Sequence, residues 1–179
     1  MYPMSGKYVL NIKDLRHASY FGFVKRSSNA LRIMTIFVLA VIAYTLVMYV
    51  SNKRLDFLGL YVLTAYLIWL LYGLSKVEFG VQRCMRSGDG VLGCEHIAIF
   101  EEQRIRILVA ERRINISQMI DKLACAFELS TQFLIYLDGQ SVYIIPKRGF
   151  SDEEIRCIRH NFAAKLGNRF ESRYYWNEK

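Results

Sequence analysis

The chain has 179 residues, 53% of them hydrophobic and 22% charged, with a formal net charge of +8. So large an apolar share is hard to place in one water-soluble domain of this size. The basic excess excludes a nucleic-acid reading, because it is not on a folded domain: residues 1–30 carry five Lys/Arg against the single acid Asp14, while residues 75–179 carry sixteen against fourteen and so lack a basic stripe.

In chain order, residues 1–30 read as an N-terminal segment: a strand over Lys7–Ile12, then a turn near Lys13-Asp14 that starts a short amphipathic helix running toward Lys25. Two apolar runs follow in residues 31–74, Leu31–Val50 and Phe57–Leu74, with only Ser51-Asn52-Lys53-Arg54-Leu55-Asp56 between them. Twenty helical residues rise about 30 Å, the thickness of a hydrocarbon core. A connection this short makes the two helices antiparallel neighbours. A soluble helical hairpin would keep a polar stripe, and neither run has one. The first run holds only Arg32, at its edge, where the side chain can snorkel to the headgroups.

Arg32, Tyr49, Trp69 and Tyr72 stand near the span ends and read as interfacial anchors. Gly59, Ala40, Ala43 and Ala65 permit close helix packing, and Thr35, Thr45 and Thr64 can hydrogen-bond within or between helices. Lysine and arginine set orientation. Arg16, Lys25 and Arg26 precede the first span, with Arg32 at its edge, and Lys76, Arg83 and Arg86 follow the second. The loop offers Lys53 and Arg54, partly offset by Asp56. Both termini are expected in the cytoplasm of a multi-pass inner-membrane protein. A signal peptide is not expected, because the apolar run starts thirty residues in and no small-residue cleavage site follows it. The four cysteines, Cys84, Cys94, Cys125 and Cys157, form no C-x-x-C pair and read as reduced apolar fillers.

Residues 75–93 continue the second helix amphipathically through Lys76–Arg86, until Ser87-Gly88-Asp89-Gly90 breaks it. From Glu95 onward the pattern shifts to period two, the strand signal. Ile97 and Ile99 alternate with Ala98 and Phe100; after Glu101-Glu102-Gln103, Ile105, Ile107 and Val109 form a row. Ile114 and Ile116 make a third strand, with Ser117 starting one helical turn through Ile120. Leu123, Cys125, Phe127 and Leu129 form the next row. Phe133, Ile135 and Leu137 pair with Val142 and Ile144 across an Asp138-Gly139 hairpin turn. Ser151 is an N-cap with Glu154 completing a capping box. Phe150 and Ile155 occupy staple positions, and Asp152 and Glu153 suit the positive end of the dipole. Ile155, Ile158, Phe162 and Leu166 line one face, and Gly167 stops the helix. The fold class is therefore α+β: a two-helix transmembrane hairpin plus a cytoplasmic antiparallel sheet in residues 94–179, closed by a C-terminal helix, of which a pleckstrin-homology-like partial barrel is one version.

The paired spans, Glu95-His96-Ile97-Ala98-Ile99-Phe100-Glu101-Glu102 and Ile116-Ser117-Gln118-Met119-Ile120 together resemble the YcxB-like family of small bacterial membrane proteins. The closest resemblance lies in Phe133–Leu137 and in Tyr143-Ile144-Ile145-Pro146-Lys147-Arg148-Gly149-Phe150-Ser151, where a strand ends in an I-P-K-R-x-F-like segment directly before the last helix. The sequence departs from the family at Gln118-Met119, where many relatives carry an aromatic residue. The resemblance implies the architecture and brings no catalytic residues with it.

Enzyme templates come up empty, and no catalytic, cofactor-binding or metal site is expected. His17, His96 and His160 lack metal-type spacing, and no nucleophile elbow, phosphate loop or dinucleotide fingerprint occurs. Glu101-Glu102 reads as a solvated turn, because adjacent residues there diverge rather than converge on one substrate. Two spans without an internal ionisable residue offer no proton or ion path. Lys147-Arg148 is the local feature with binding potential. Fixed by Pro146 and a capped helix, it forms with Arg156 and Arg159 a candidate basic site for an anionic headgroup or acidic partner. The blander reading is a solvated loop whose cations face the acids of the next helical turn. Lys165, Arg169 and Arg173 extend the basic character, and Tyr174-Tyr175-Trp176 pack on the sheet or reach the membrane interface.

These readings lead to a non-catalytic inner-membrane protein whose cytoplasmic domain binds a protein partner or a lipid headgroup, with homo-oligomerisation open. The alternative is an immunity protein that neutralises a toxin acting at or delivered to the inner membrane; a membrane-bound enzyme is a third class.

Overall fold

The computed structural model describes residues 3–52, 57–86, 92–138 and 141–172. The chain divides into two compact units, one comprising Met1–Ala18 with Gly88–Lys179 and the other Ser19–Ser87. These boundaries differ from a division at residues 30 and 94, because the N-terminal strand is part of the C-terminal domain.

In the first unit, β1 (Met4–Val9) pairs antiparallel with β2 (Glu95–Phe100), β2 with β3 (Arg104–Val109), and β3 with β4 (Ile114–Met119). A second sheet has the order β7-β6-β5-β8, built from β5 (Cys125–Glu128), β6 (Gln132–Tyr136), β7 (Val142–Pro146) and β8 (Phe170–Ser172). Its pairings are antiparallel except β5 with β8, which is parallel. The fold is thus α+β with antiparallel sheets and a C-terminal helix, α3 (Asp152–Leu166), but the strands form two sheets rather than one. The break falls at the 3-10 turn Ile120–Lys122, so the helical turn lies after β4, and Ser117 sits inside that strand. The Asp138 carboxylate accepts from Ser141 N–H at 2.5 Å and from its hydroxyl at 3.1 Å, between strands joined Tyr136↔Val142. Gly139, like the expected helix break at residues 87–90 and the aromatic triplet at 174–176, lies outside the described residues.

Burial follows the period-two pattern on β3, where Ile105, Ile107 and Val109 point inward. On β2 the inward residues are His96, Ala98 and Phe100, and Ile97 and Ile99 are half-buried on the other face. His96 stacks on Tyr8, its partner on β1, with ring centroids 5.3 Å apart, while His160 is exposed on α3. Phe162 of α3 unites the core. Its ring meets Phe100 of the first sheet at 5.9 Å, and Phe133 and Phe170 of the second at 6.1 and 5.7 Å. Helix α3 starts at the Ser151–Glu154 capping box and ends at Gly167, whose φ is +52°. Glycine serves there because a left-handed backbone costs it nothing.

The N-terminal strand ends earlier than Ile12, at Val9, because the helix claims the following residues. Asp14 Oδ2 accepts from Asn11 N–H at 2.9 Å, and Asn11 O accepts from the N–H groups of Asp14 and Leu15, so the first helical turn is closed on Asn11. The helix that starts there, α1 (Ile12–Asn52), runs without interruption for 41 residues. No proline or glycine interrupts residues 24–52, and serine and asparagine at 27–29 are weak breakers within a long helix.

In the second unit, α1 packs against α2 (Leu58–Arg86). The close approaches occur where a side chain is missing. A β-carbon on Gly59 would fall 2.6 Å from Thr45 Oγ1, and one on Gly73 would fall 2.7 Å from the Phe23 ring. Thr35 and Tyr66 hydroxyls lie 3.0 Å apart, and Tyr20 donates to Glu78 Oε2 at 3.4 Å. Thr35, Thr45 and Thr64 also donate to the Leu31, Val41 and Leu60 carbonyls one turn back. Both helices are long and apolar enough to cross a membrane over Ser27–Ser51 and Leu58–Arg86, and only 6% of the most apolar stretch of each is buried within the chain.

Candidate functional site

The segment that carried the candidate basic site is a 3-10 turn, Lys147–Gly149, between β7 and α3. It is fixed from both sides. Lys147 N–H donates to Thr131 O and Phe150 N–H to Lys147 O. A β-carbon on Gly149 would fall 2.9 Å from Lys7 O on β1, and one on Gly6 would meet Phe150 and Gly149 O within 2.6 Å. The turn therefore lies directly against the N-terminal strand, and only glycines allow the approach.

Its cations face carboxylates, though not those of the next helical turn. Lys147 Nζ donates to Glu128 Oε1 at 2.7 Å. Arg159, on α3, donates through Nε and a terminal nitrogen to both oxygens of the same carboxylate at 2.7 and 2.6 Å. Ser172 Oγ of β8 adds a bond to Oε2 at 2.8 Å. Glu128 is fully buried, while the Lys147 and Arg159 side chains keep 11% and 19% of their exposure. Lys147 also lies 5.2 Å from the centroid of the Phe133 ring, a cation–π contact. Arg148 turns the other way, donating to Asp14 Oδ1 at 2.9 Å and Oδ2 at 2.6 Å and also to Val9 O. Gln132, fully buried on β6, donates to Asp14 O at 3.2 Å. Arg156 is exposed on α3, with Nε bonded to Asp152 O at 3.3 Å.

Burial pushes the Glu128 carboxyl upward, but the hydrogen bonds from Arg159, Lys147 and Ser172 and the Lys147 charge outweigh it, so its pKa lies below the ordinary range. Burial likewise opposes ionisation of Asp14, and is outweighed by Arg148, the Asn11 N–H and the nearby His17, so this carboxyl is lowered as well. The hydrogen bond to Asp14 raises Arg148 in turn. Neither carboxyl is disposed to take up a proton near neutrality; both act as fixed anions that tie separate elements together. Glu128 joins β5 to the 147–149 turn, to α3 and to β8. Asp14 joins the first turn of α1 to the same turn.

Of the four candidate binding residues, Lys147, Arg148 and Arg159 are thus drawn to one turn and its neighbours, each engaged by an internal anion, and Arg156 stands apart. The sequence did not single out Glu128, Ser172 or Gln132. The available signal was one acid flanked by Ala126, Phe127 and Leu129 inside an apolar strand. The expected anchors Arg32, Tyr49, Trp69 and Tyr72 are all exposed on α1 and α2, with Trp69 stacked on Tyr66 at 6.1 Å. Among the described residues no cluster of His, Cys, Asp or Glu could hold a metal ion.

The chain matches no protein-family model, no curated protein and no solved structure.

Proposed function

We infer that this is a membrane-anchored, non-catalytic protein, held by the α1–α2 hairpin in a bacterial inner membrane with both termini in the cytoplasm. Its α+β domain binds a partner protein at the membrane surface in a regulatory or scaffolding role. The observation that carries the reading is the exposure of the two apolar helices. Ile33, Ile36, Leu39, Val47 and Val50 on α1, and Leu60, Ile68 and Leu71 on α2, each keep 60% or more of their surface. A core helix of a soluble protein would bury such residues, whereas lipid covers them at no desolvation cost. A cleaved leader fits poorly, since β1, upstream of the first span, is paired along its length in the first sheet.

The strand order β1-β2-β3-β4 and β7-β6-β5 with a C-terminal helix supports a pleckstrin-homology-like partial barrel to which the short parallel strand β8 is added at β5, and the Ile144-Ile145-Pro146-Lys147-Arg148 segment supports the YcxB-like family reading. The engagement of Lys147, Arg148 and Arg159 with Glu128 and Asp14 favours a protein partner over an anionic ligand at this turn, because such a ligand would have to displace a buried carboxylate. A membrane-held module also meets its membrane-bound partners at raised effective concentration.

Alkaline carbonate extraction tests the anchor, and the protein is expected in the pellet; release into the supernatant would overturn it. In-membrane crosslinking tests the partner reading. Reproducible recovery of one other protein is the expected result, and self-contacts alone would count against it. A cytoplasmic reporter at either terminus is expected to be active.

A further inference from the structure

The second unit carries most of its basic charge at one end, the loop end holding only Lys53 and Arg54 beside Asp56. In residues 19–32 and 75–87 the sequence has six Lys/Arg against the single acid Glu78, and Tyr20 hydrogen-bonds that acid. Lys25, Arg32, Lys76, Arg83 and Arg86 are all exposed. The Phe23–Gly73 and Tyr20–Glu78 contacts bring this end of the two helices into register. Counted from either contact, Lys25 and Lys76 lie within about 8 Å of each other along the axis. That is no more than the thickness of one headgroup layer, about 5–8 Å on each side of the hydrocarbon. Arg32 lies one heptad deeper than Lys25, about 10 Å, within reach by snorkelling. Arg83 lies the same distance beyond Lys76, close to the Debye length of about 8–10 Å. Tyr72, 68% exposed and next to Gly73, supplies an amphipathic ring at the same level.

The geometry points to a juxtamembrane basic collar that selects anionic phospholipid: Lys25 and Lys76 sit at the headgroup phosphates, Arg32 reaches up from the acyl boundary, and Arg83 and Arg86 add long-range attraction. The inference rests on the membrane reading above and adds a lipid class to it. Attraction is cumulative, and charge neutralisation at each position should lower the preference by up to about fivefold at low salt.

The test uses the full chain with Trp176→Phe, leaving Trp69 as the only tryptophan donor, in nanodiscs of zwitterionic lipid doped with dansyl-phosphatidylglycerol or dansyl-phosphatidylcholine. Trp69 lies about 6 Å from the Gly73 level toward the loop, near the labelled headgroups. Stronger transfer to the anionic probe is expected. It should fall to the zwitterionic level in the Lys25→Gln/Arg32→Gln/Lys76→Gln variant and in high salt, and should persist in Lys25→Arg/Lys76→Arg. Equal transfer to both probes from a protein that has entered the discs would overturn the collar and leave the anchor standing. Failure to enter the discs and release by carbonate would overturn both. Preference surviving in the triple Gln variant would also reject these cations as its source.

Discussion

Glu128 illustrates how one buried residue organises its surroundings. It is fully buried, and its carboxylate accepts from Lys147, Arg159 and Ser172 at 2.6–2.8 Å. A lone carboxylate at such a site would protonate to avoid desolvation; two cations and a hydroxyl hold it ionised instead. Glu128→Gln keeps the volume and removes the charge, leaving two cations pressed together. It is expected to destabilise the domain by about 3–5 kcal/mol, read by urea unfolding followed by circular dichroism. Adding Lys147→Met should recover part of that loss, because only one cation then lacks its anion. The same carboxylate sets an acid limit. The folded-state values of Glu128 and Asp14 are both depressed, so their stabilisation is fully present above the unfolded values near 4 and is lost as pH falls through the folded ones. Stability should therefore drop below about pH 4, and Glu128→Gln should flatten that drop, as thermal melts across the acid range would register.

At the level of elements, what the sequence disclosed depended on how local the signal was. The α3 helix was legible at both ends, because a capping box needs only Ser151 and Glu154 and a stop needs only Gly167. Strand β3 was legible because Ile105, Ile107 and Val109 are all apolar and all inward. Strand β5 misled, since period two places Glu128 on the face opposite Cys125 and Phe127, and that face reads as wet. It is dry because α3 lies over it and β8 closes the edge beside it, and β8 is three residues long with no pattern of its own. The Asp14–Arg148 pair joins residues 134 apart, a distance over which composition and spacing are silent. The N-terminal strand was legible as a strand and not as a partner of β2. Its seat is set by two glycines: with Gly6 within 2.6 Å of Phe150 and Gly149 O at the β-carbon position, Gly6→Val must push β1 off the 147–149 turn. Its expected cost is about 1–3 kcal/mol from overpacking, and hydrogen exchange should quicken in β1 and β2 before it does in β6.

At the scale of the whole molecule, the chain places a hairpin of bilayer length between two strands that must pair. Val9 and Glu95 are partners, and Gly93 N–H donates to Leu10 O at 3.2 Å, so the excursion through residues 19–87 leaves the first unit and returns to nearly the same place. Among the described residues, the strand pairings, the Phe162 aromatic cluster and the Lys147, Arg159, Ser172 and Arg148 groups that hold the two buried carboxylates lie within residues 1–18 and 88–179. The hairpin should then be dispensable for folding, while β1 and the first turn of α1 should not. Joining residues 1–18 to 88–179 through a flexible linker is expected to give a soluble, monomeric domain with cooperative unfolding. The linker also shortens the loop that must close before β1 reaches β2, so folding should be faster than for the full chain. Residues 88–179 alone would expose the edge of β2, Ala98 and Phe100, and would leave Arg148 without Asp14. This shorter chain is expected to aggregate or to bind a hydrophobic dye, and adding the peptide 1–18 in trans should suppress both effects. Equal solubility and stability of the two forms, measured by size exclusion and thermal melting, would show that β1 contributes little to the domain.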